Sequence, residues 1–423
     1  MKRLVKIYSL LFFFGIIFQT YAQDLLTFKV DTGSFDRIDC PVFLNISMSN
    51  LDINPEELQL MEYLDNSRKF VPSQFDKEKN QLWFILNGFT AKQTSREFVL
   101  IKKNKKKKSQ QIEIKKKDGG LLLSFKNNPI LKYQYEIVFP PKGIDEKYKK
   151  SGFIHPVWSP GGEVLTRIQA PDHYHHYGIW GPWTRTHIGD RQVDFWNLAD
   201  GQGTVLFKHF TDQTQGDVYT GFVALQEHID FGASSENRIA LNEELKIKVW
   251  NIGSTNKSWL VDYTTTIKSE LENGILFDAY RYGGGIGFRA TEKWHKDNST
   301  VLTSENNDRL TADGSTAKWV IIEGASKTKE GRSGILFMGF PTNKEFPEPM
   351  RVWPINANDG RGDMFFEFCP IRYEEWKIES QKEYNLKYRM LIFDGTLTPK
   401  QAEIYWQGFA DPPKIIINSN QQP

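Results

Sequence analysis

Short runs of alternating apolar and polar residues recur along almost the whole of this 423-residue chain. Examples are "LTFKV", "QLWFILNGF" and "REFVLIKK" near its start, and "LKIKVWNIG", "SGILFMGF" and "YNLKYRMLIF" further on. A period of two is typical of strands that bury one face. Helical periodicity is nearly absent, except near the C-terminus, where Thr398, Pro399 and Gln401 predict a helix start with a capping box. The pattern predicts an all-β fold.

A lysine-rich stretch, Lys102 to Lys117, interrupts these runs and contains nine lysines. A charge run of this kind is usually a solvated loop or linker. We therefore predict a small β-sandwich module at residues 23–118 that includes this linker. A large two-sheet β-sandwich (supersandwich) is predicted at 119–413, because this segment has more strands than one small sandwich contains. Residues 414–423 are predicted to form a tail.

Residues 1–22 have the pattern of a secretory signal peptide. Three basic residues precede an apolar run at about 8–18, and Ala22 closes a cleavage site of small residues. The apolar run is shorter than the ~20 residues that span a bilayer. No other stretch is apolar enough, so we predict a secreted, periplasmic protein without a membrane span.

Charge and cysteine content exclude other classes of function. The net charge is +2, and it becomes −1 when the three basic residues of the leader are removed. We expect no nucleic-acid partner, because the lysine-rich stretch is the only basic run in a nearly neutral chain. Two cysteines, Cys40 and Cys369, are too few for a zinc ribbon or an iron–sulfur site. The sequence leaves open whether they form a disulfide.

The stretch "DHYHHYGIW", residues 172–180, places three of the eight histidines within four positions. If it is extended, His173 and His175 share one face, and Asp172 and His176 lie on the other. Two imidazoles at positions i and i+2 of a strand converge on one ion or one substrate. A buried, hydrogen-bonded structural role is the alternative, but three histidines so close together favour a functional site.

The next stretch, "WTRTHIGDRQVDFW", adds acid, base and cationic groups at residues 183–196. Two histidines with a carboxylate form a known metal donor set. Histidine is also the usual proton carrier near neutral pH, and arginine binds carboxylates in a bidentate way. The sequence demands no cofactor, and a divalent metal held by His173, His175 and His187 is an alternative to proton transfer.

Several segments between about Gly152 and Pro413 resemble one family. They include "DHYHHYGIW", "VDFWNLADGQGTVLF", "YGGGIGFRA" and "RMLIFDGTLTPKQAEIYWQGFADPP", in this order. Together they resemble a secreted bacterial family of unknown function that is labelled PmoA-like, after a methane oxygenase subunit. This chain departs from the family pattern at Tyr177 and has extra residues between Trp183 and Asp194.

The resemblance implies a large β-sandwich similar to those of sugar mutarotases and many polysaccharide-acting enzymes. The oxygenase label itself fits poorly, because that subunit is an integral membrane protein. A histidine-brace copper site also needs an N-terminal histidine, whereas the predicted mature chain begins at Gln23. The glycines near residue 283 lack the following helix and the lysine of a phosphate loop, so we interpret them as strand and turn positions.

A sugar site combines aromatic platforms with planar donors and acid–base groups. The predicted substrate-binding residues are Trp180, Trp183, Trp196, Tyr280, Tyr282, Arg281, Arg289 and Arg351. The predicted catalytic residues are His173, His175, His176, Asp194, Arg185 and Arg191. For the tryptophans, packing in the core is the alternative.

Three hypotheses for the function follow. The first is a periplasmic carbohydrate-active enzyme acting on a glycan or oligosaccharide by β-elimination, or by hydrolysis or epimerisation. In the elimination, His173 or His175 is the base and Arg185 or Arg191 the clamp. The second is a non-catalytic glycan-binding protein, and the third is a metal-dependent oxygenase, as the family label suggests.

Overall fold

The computed structural model describes six segments of the chain: 24–46, 57–65, 67–102, 111–234, 238–252 and 258–417. The predicted signal peptide and residues 103–110 of the lysine-rich stretch lie outside the described residues. Nearly all regular structure is strand, so the prediction of an all-β fold is confirmed. Among the described residues, no helix has the length and apolar character that crossing a membrane requires.

Thirty strands and one α-helix follow one another within the described segments. The strands before residue 118 are β1 (Asp24–Asp31), β2 (Arg37–Asn45), β3 (Leu58–Leu64), β4 (Ser67–Val71), β5 (Ser73–Asp76), β6 (Gln81–Thr90), β7 (Ser95–Lys102) and β8 (Glu113–Lys117). The elements after it are β9 (Gly120–Phe125), β10 (Asn128–Gln134), β11 (Phe153–Val157), β12 (Ile168–Ala170), β13 (His173–Tyr177), β14 (Ile179–Trp180), β15 (Thr186–Ile188), β16 (Arg191–Val193), β17 (Gly203–Gln215), β18 (Tyr219–Asp230), β19 (Ile239–Trp250), β20 (Ser258–Lys268), β21 (Ile275–Phe277), β22 (Ile286–Arg289), β23 (Ser299–Thr303), β24 (Trp319–Ala325), β25 (Arg332–Gly339), β26 (Met350–Val352), β27 (Phe365–Phe368), β28 (Trp376–Ile378), β29 (Glu383–Asp394), α1 (Pro399–Ala410) and β30 (Lys414–Ile417).

Two eight-stranded antiparallel sheets form the large sandwich. Sheet I has the strand order β26-β27-β22-β14-β11-β10-β9-β8, and sheet II has the order β17-β18-β19-β20-β29-β25-β24-β23. Phe337 of sheet II packs between two phenylalanines of sheet I, with ring centroids 5.3 Å from Phe288 and 5.0 Å from Phe366. These rings belong to one buried cluster drawn from both sheets. The predicted two-sheet sandwich is therefore present.

The outer face of sheet I carries a second set of buried side chains. Successive residues of a strand point to opposite faces, so Trp180 follows the core residue Ile179 and faces outward. In the same way Arg351 and Glu367, which are cross-strand partners, lie on the outer face. The β12–β13 hairpin contacts β11 and β22 and helps to cover this face. The histidine stretch is therefore placed against the outer face of sheet I.

The N-terminal strands build a smaller sandwich with a core of its own. A five-stranded sheet has the order β30-β1-β7-β3-β4, and a three-stranded sheet has the order β2-β6-β5. The rings of Phe28, Phe84 and Phe98 pack between these sheets within 6.0 Å of one another. Strand β8 pairs with β9 in sheet I, and β30 pairs with β1. The domain boundaries at 118 and 413 stay predictions.

Helix α1 begins as the sequence predicts. Thr398 is the N-cap, Pro399 is the first helical residue, and Thr398 and Gln401 exchange the two hydrogen bonds of a capping box. The helix packs against β2, where Cys40 lies 3.3 Å from the carbonyl oxygen of Gly408. Cys40 and Cys369 are both buried and free, so they do not form a disulfide in this structure.

Candidate functional site

The β12–β13 hairpin brings three histidines together. The ring centroids of His173 and His175 are 5.3 Å apart, and the centroid of His176 lies 4.8 Å from each of them. Each ring offers one nitrogen, and these three nitrogens all lie within 4.8 Å of one another. His176 is buried, whereas the side chain of His173 is 38% exposed. The cluster therefore has a buried end and an end open to solvent.

Simple alternation along β13 fails, and the prediction that His176 faces away from His173 is wrong. A β-bulge interrupts the hairpin, since Ile168 pairs with Tyr177 but Ala170 pairs with His173. Between these two pairs β13 advances by four residues whereas β12 advances by only two, so the extra residues lie on β13. A bulge changes the direction in which side chains point. Here the rings of His173 and His176 are nearly parallel, with an interplanar angle of 21°.

A chain of charged groups holds the open end of the cluster. Nδ1 of His173 lies 2.9 Å from an Asp172 carboxylate oxygen. The Arg289 guanidinium donates to Asp172 at 2.8 and 3.0 Å, and to Asp363 at 2.7 Å. Arg289 is fully buried, so it has no surface left for a substrate. The predicted substrate-binding role of Arg289 is therefore better described as positioning Asp172.

These contacts set the protonation states of the cluster. Burial alone would raise the pKa of the Asp172 carboxyl, but the hydrogen bond from His173 and the charge of Arg289 outweigh it and hold the pKa well below its usual range. Burial, together with the charges of His173 and Arg289, lowers the pKa of His175 to about 3. Burial likewise holds the pKa of His176 well below its ordinary value. His175 and His176 are therefore neutral near pH 7.

Aromatic rings enclose the imidazoles. His176 stacks on Phe365 and Trp196 with centroid distances of 5.0 and 5.6 Å, and His173 lies 4.7 Å from the ring of Trp353. The indole of Trp196 also donates to the carbonyl oxygen of His175 at 3.1 Å. All three aromatic residues are at most 5% exposed. They therefore hold the histidines in place and offer little free surface for stacking a sugar.

Tyr282 also contacts Trp353, and its hydroxyl is fixed by two donors. The Trp353 indole donates to the Tyr282 oxygen at 3.2 Å, and Arg351 donates to it at 3.1 Å. Arg351 is itself held by Asp313 at 2.6 Å. Because Trp353 contacts both Tyr282 and His173, the predicted residues Tyr282, Arg351 and His173 belong to one site.

Beyond Tyr282 the site continues to an exposed edge. The ring of Tyr280 lies 5.9 Å from that of Tyr282. The guanidinium of Arg185 lies 4.0 Å above Tyr280, and that of Arg281 lies 5.5 Å from the Tyr282 ring. Arg185 and Arg281 are both exposed. These predicted residues thus lie beside the cluster, but none of them contacts a histidine in the described part of the chain.

Asp194, a predicted catalytic acid, is buried and saturated with protein donors. Its carboxylate accepts hydrogen bonds from the backbone N–H groups of Trp196 and Asn197 at 2.8 Å, and from the Thr184 hydroxyl at 2.5 Å. The Asn197 side chain donates to it as well. Asp194 therefore fixes the turn that carries Trp196, and it presents no free oxygen to a substrate.

Three further predicted residues lie outside the histidine cluster. His187, on β15, pairs with Asp278 at 2.8 Å, so the structure groups His176 rather than His187 with His173 and His175. Arg191 is held by Asp230. Trp183 is fully buried in the sandwich core, with its ring 4.5 Å from that of Phe277. The alternative of core packing therefore applies to Trp183, whereas Trp180 faces the site side of sheet I.

Sequence reasoning missed Trp353, Asp363 and Phe365. Trp353 and Asp363 lie between β26 and β27, and Phe365 is the first residue of β27, so all three are far from the histidine stretch in sequence. The available signal was the alternation itself, since Arg351 and Trp353 share one face of β26 and its extension. That signal shows which residues share a face, but it does not show that the face meets the histidines.

Residues 121–407 match the sequence profile of a family described as a family of unknown function (DUF6807). The match covers more than half of the chain. Its description names no methane oxygenase, so the PmoA label of the resemblance stays a prediction. No curated protein matches the sequence.

Three solved structures are similar to parts of this chain at low identity. A glycosyl hydrolase family 38 protein from Enterococcus faecalis has 10% identity and a TM-score of 0.45, covering 95% of this chain and 49% of its own. This chain thus spans about half the length of that protein. A galactose mutarotase related enzyme from Lactobacillus acidophilus has 8% identity and a TM-score of 0.28, covering 68% of this chain and 100% of its own. A heparinase III has 10% identity and a TM-score of 0.29, covering 71% of this chain and 36% of its own. These likenesses carry no argument about activity.

Proposed function

Because this chain belongs to the DUF6807 family, whose function its description leaves open, we propose an activity from the site itself. The chain is a carbohydrate-active enzyme that breaks a glycosidic linkage by β-elimination at the outer face of sheet I. A single observation carries the proposal. A carboxylate-bound histidine and a doubly hydrogen-bonded tyrosine contact the same tryptophan, Trp353. Hydrolysis and epimerisation are the other reactions that the same groups support.

His173 is the base in this reaction. Its Nδ1 is occupied by Asp172, which leaves the lone pair of Nε2 to accept a proton from the carbon next to a carboxylate or carbonyl group. His175 is the weaker choice, because burial lowers its pKa to about 3 and makes its nitrogen a poor base. Arg289 supports His173 indirectly, since it fixes the carboxylate of Asp172.

Tyr282 is the acid. Its oxygen already accepts hydrogen bonds from Trp353 and Arg351, so its own O–H group is left to donate to a third partner. In the elimination the C–H electron pair forms the new C=C bond, and the glycosidic oxygen departs with the bonding pair and takes the tyrosine proton. The charge of Arg351 beside this oxygen favours the proton transfer.

The test is turnover on a panel of acidic and neutral oligosaccharides, with products followed by mass and by ultraviolet absorbance. Elimination gives fragments whose masses add up to that of the substrate, with an absorbing unsaturated end, whereas hydrolysis adds one water. His173→Gln and Tyr282→Phe should abolish the products. His209→Gln, at an exposed histidine outside the site, is the control. Sugars that bind but are never altered would instead favour a non-catalytic glycan-binding protein.

A metal-dependent enzyme, including the oxygenase of the family label, is the second candidate. The observation in its favour is the convergence of three imidazole nitrogens within 4.8 Å, with Asp172 behind His173 as a supporting carboxylate. Neutral imidazoles are the usual ligands of divalent transition metals. Elemental analysis of the purified protein tests it. A stoichiometric metal that is lost in His175→Ala would support this candidate, because a His173 ring bound to a metal would have no free nitrogen to act as the base.

We further propose that the enzyme acts outside the cytoplasm, in the periplasm. The support is the predicted leader at residues 1–22, with its basic start, short apolar run and small-residue end. Sequencing the N-terminus of the protein recovered from a periplasmic extract tests this, and a start at Met1 would contradict it.

A further inference from the structure

Two arginines beside the site have no acidic partner among the described residues. Neither Arg185 nor Arg281 forms an ion pair or a side-chain hydrogen bond with any residue in the described segments, although both are held over tyrosine rings. Arg185 also has a φ of +48°, in the left-handed region that residues other than glycine rarely adopt. We call the two arginines, with Tyr280 and Tyr282, the arginine rim.

Other arginines of this region are neutralised by carboxylates. Arg351 and Arg372 share Asp313, at 2.6 and 3.1 Å. The carboxylate of Asp278 is taken by His187. Asp313 and Asp278 are therefore already bound by partners other than Arg185 and Arg281.

The buried Glu367 does not balance this charge. It lies on the same face of sheet I, and burial holds the pKa of its carboxyl well above the ordinary value, which favours the uncharged form. In the described part of the chain Arg351 and Arg372 pair with Asp313, whereas no carboxylate forms an ion pair with Arg185 or Arg281. The excess of positive charge lies at the exposed edge, where Arg185 and Arg281 are.

We propose that the arginine rim is a subsite for the carboxylate of a uronic acid unit in the glycan. A guanidinium group can bind a carboxylate through two parallel hydrogen bonds. The cation–π contact with a tyrosine ring helps to hold each arginine in place. The proposal rests on the proposed function and narrows it to acidic glycans. In these substrates the carboxylate also makes the neighbouring C–H acidic, which the elimination requires.

Binding measured by isothermal titration calorimetry tests the rim without requiring turnover. The probes are uronate oligosaccharides of several backbones, each beside its carboxyl-reduced neutral counterpart, and a sulfated neutral oligosaccharide. The full-length protein should bind at least one uronate about ten-fold more tightly than its reduced counterpart, as expected for one charge-assisted contact. Arg185→Gln combined with Arg281→Gln should remove most of this preference.

Arg238→Gln is the matched control, because Arg238 is also an exposed arginine over an aromatic ring, that of Phe231, outside the site. It should leave the preference unchanged. If no uronate binds more tightly than its reduced form, or if the double variant keeps the preference, the inference is overturned. Preference for the sulfated sugar alone overturns the assignment to a carboxylate. If uronates bind preferentially but no product forms, the arginine rim is supported as a carboxylate subsite and the proposed elimination is contradicted.

Discussion

Glu348 provides a quantitative test of the packing between the sheets. Its side chain is fully buried, and its two carboxyl oxygens accept hydrogen bonds from the Asn343 amide at 2.7 Å and from the Tyr388 hydroxyl at 2.8 Å. No cation is among these partners. Burial therefore raises the pKa of the carboxyl from 4.5 to about 8, and the two hydrogen bonds offset only part of this rise.

The sign of the resulting pH dependence follows from proton binding. Between pH 4.5 and about 8 the folded chain keeps a proton on Glu348 that the unfolded chain has lost. The stabilisation is fully present below pH 4.5 and is lost as the pH rises through this window. A shift from 4.5 to about 8, at about 1.4 kcal/mol per pH unit, corresponds to about 5 kcal/mol.

Glu348→Gln keeps the shape of the side chain and removes its charge. At about pH 5 the variant should differ from the original chain by no more than about 1 kcal/mol, because its amide can still bond to Asn343 and Tyr388. At about pH 9 it should be several kcal/mol more stable, since it has no carboxyl to ionise. Urea denaturation at both pH values gives the two free energies of unfolding.

The control for this experiment is Glu244→Gln, at an exposed position on β19. Its difference from the original chain should stay the same at both pH values. If Glu348→Gln also shows an unchanged difference, Glu348 does not hold a proton in the folded chain at neutral pH, and the reasoning from burial is refuted.

Three further predictions concern the core, the helix and the site. Phe337→Ala should lower the free energy of unfolding by about 3–5 kcal/mol, because its ring packs against two phenylalanines of sheet I, and guanidinium denaturation measures the loss. Thr398→Ala should cost about 1 kcal/mol through loss of the capping box, seen as a lower denaturation midpoint, and Thr398→Ser should restore most of it. Asp172→Asn should reduce kcat at least about ten-fold with little change in KM, because it removes the carboxylate that orients His173; an equal loss from an exposed-site control such as Asp212→Asn would contradict this.

Local patterns predicted much of the fold. Alternation gave the strands of both sheets, and the Thr398-Pro399-Gln401 arrangement predicted helix α1 to its first residue. The pairing of the strands could not be predicted from the sequence, because it depends on contacts between distant segments. The partnership of β30 with β1 is the clearest example, since nothing in "KIII" identifies its neighbour.

The candidate site shows the same division. The density of histidines predicted a cluster, but the bulge opposite Gln169 that turns His176 toward His173 leaves no pattern in the sequence. Trp180 and Trp183 are three residues apart and look equivalent, yet one faces the site and the other the core. Alternation places residues three apart on opposite faces, but which of these faces meets the core is set by packing against sheet II, and the local pattern does not show this.

The pairing of β30 with β1 has a consequence for how the protein is made. A ribosome completes β1 long before it reaches β30, its neighbour on one side, because the other described strands lie between them in the sequence. Until β30 is made, the outer edge of β1 therefore offers unpaired backbone groups, and such an edge is a template for pairing with other chains. The pairing of β30 with β1 thus completes this sheet only after the strands between them have been made. A nascent chain must be kept from contact with other copies until β30 has paired with β1. A chain truncated before Lys414 would keep an exposed sheet edge that favours self-association.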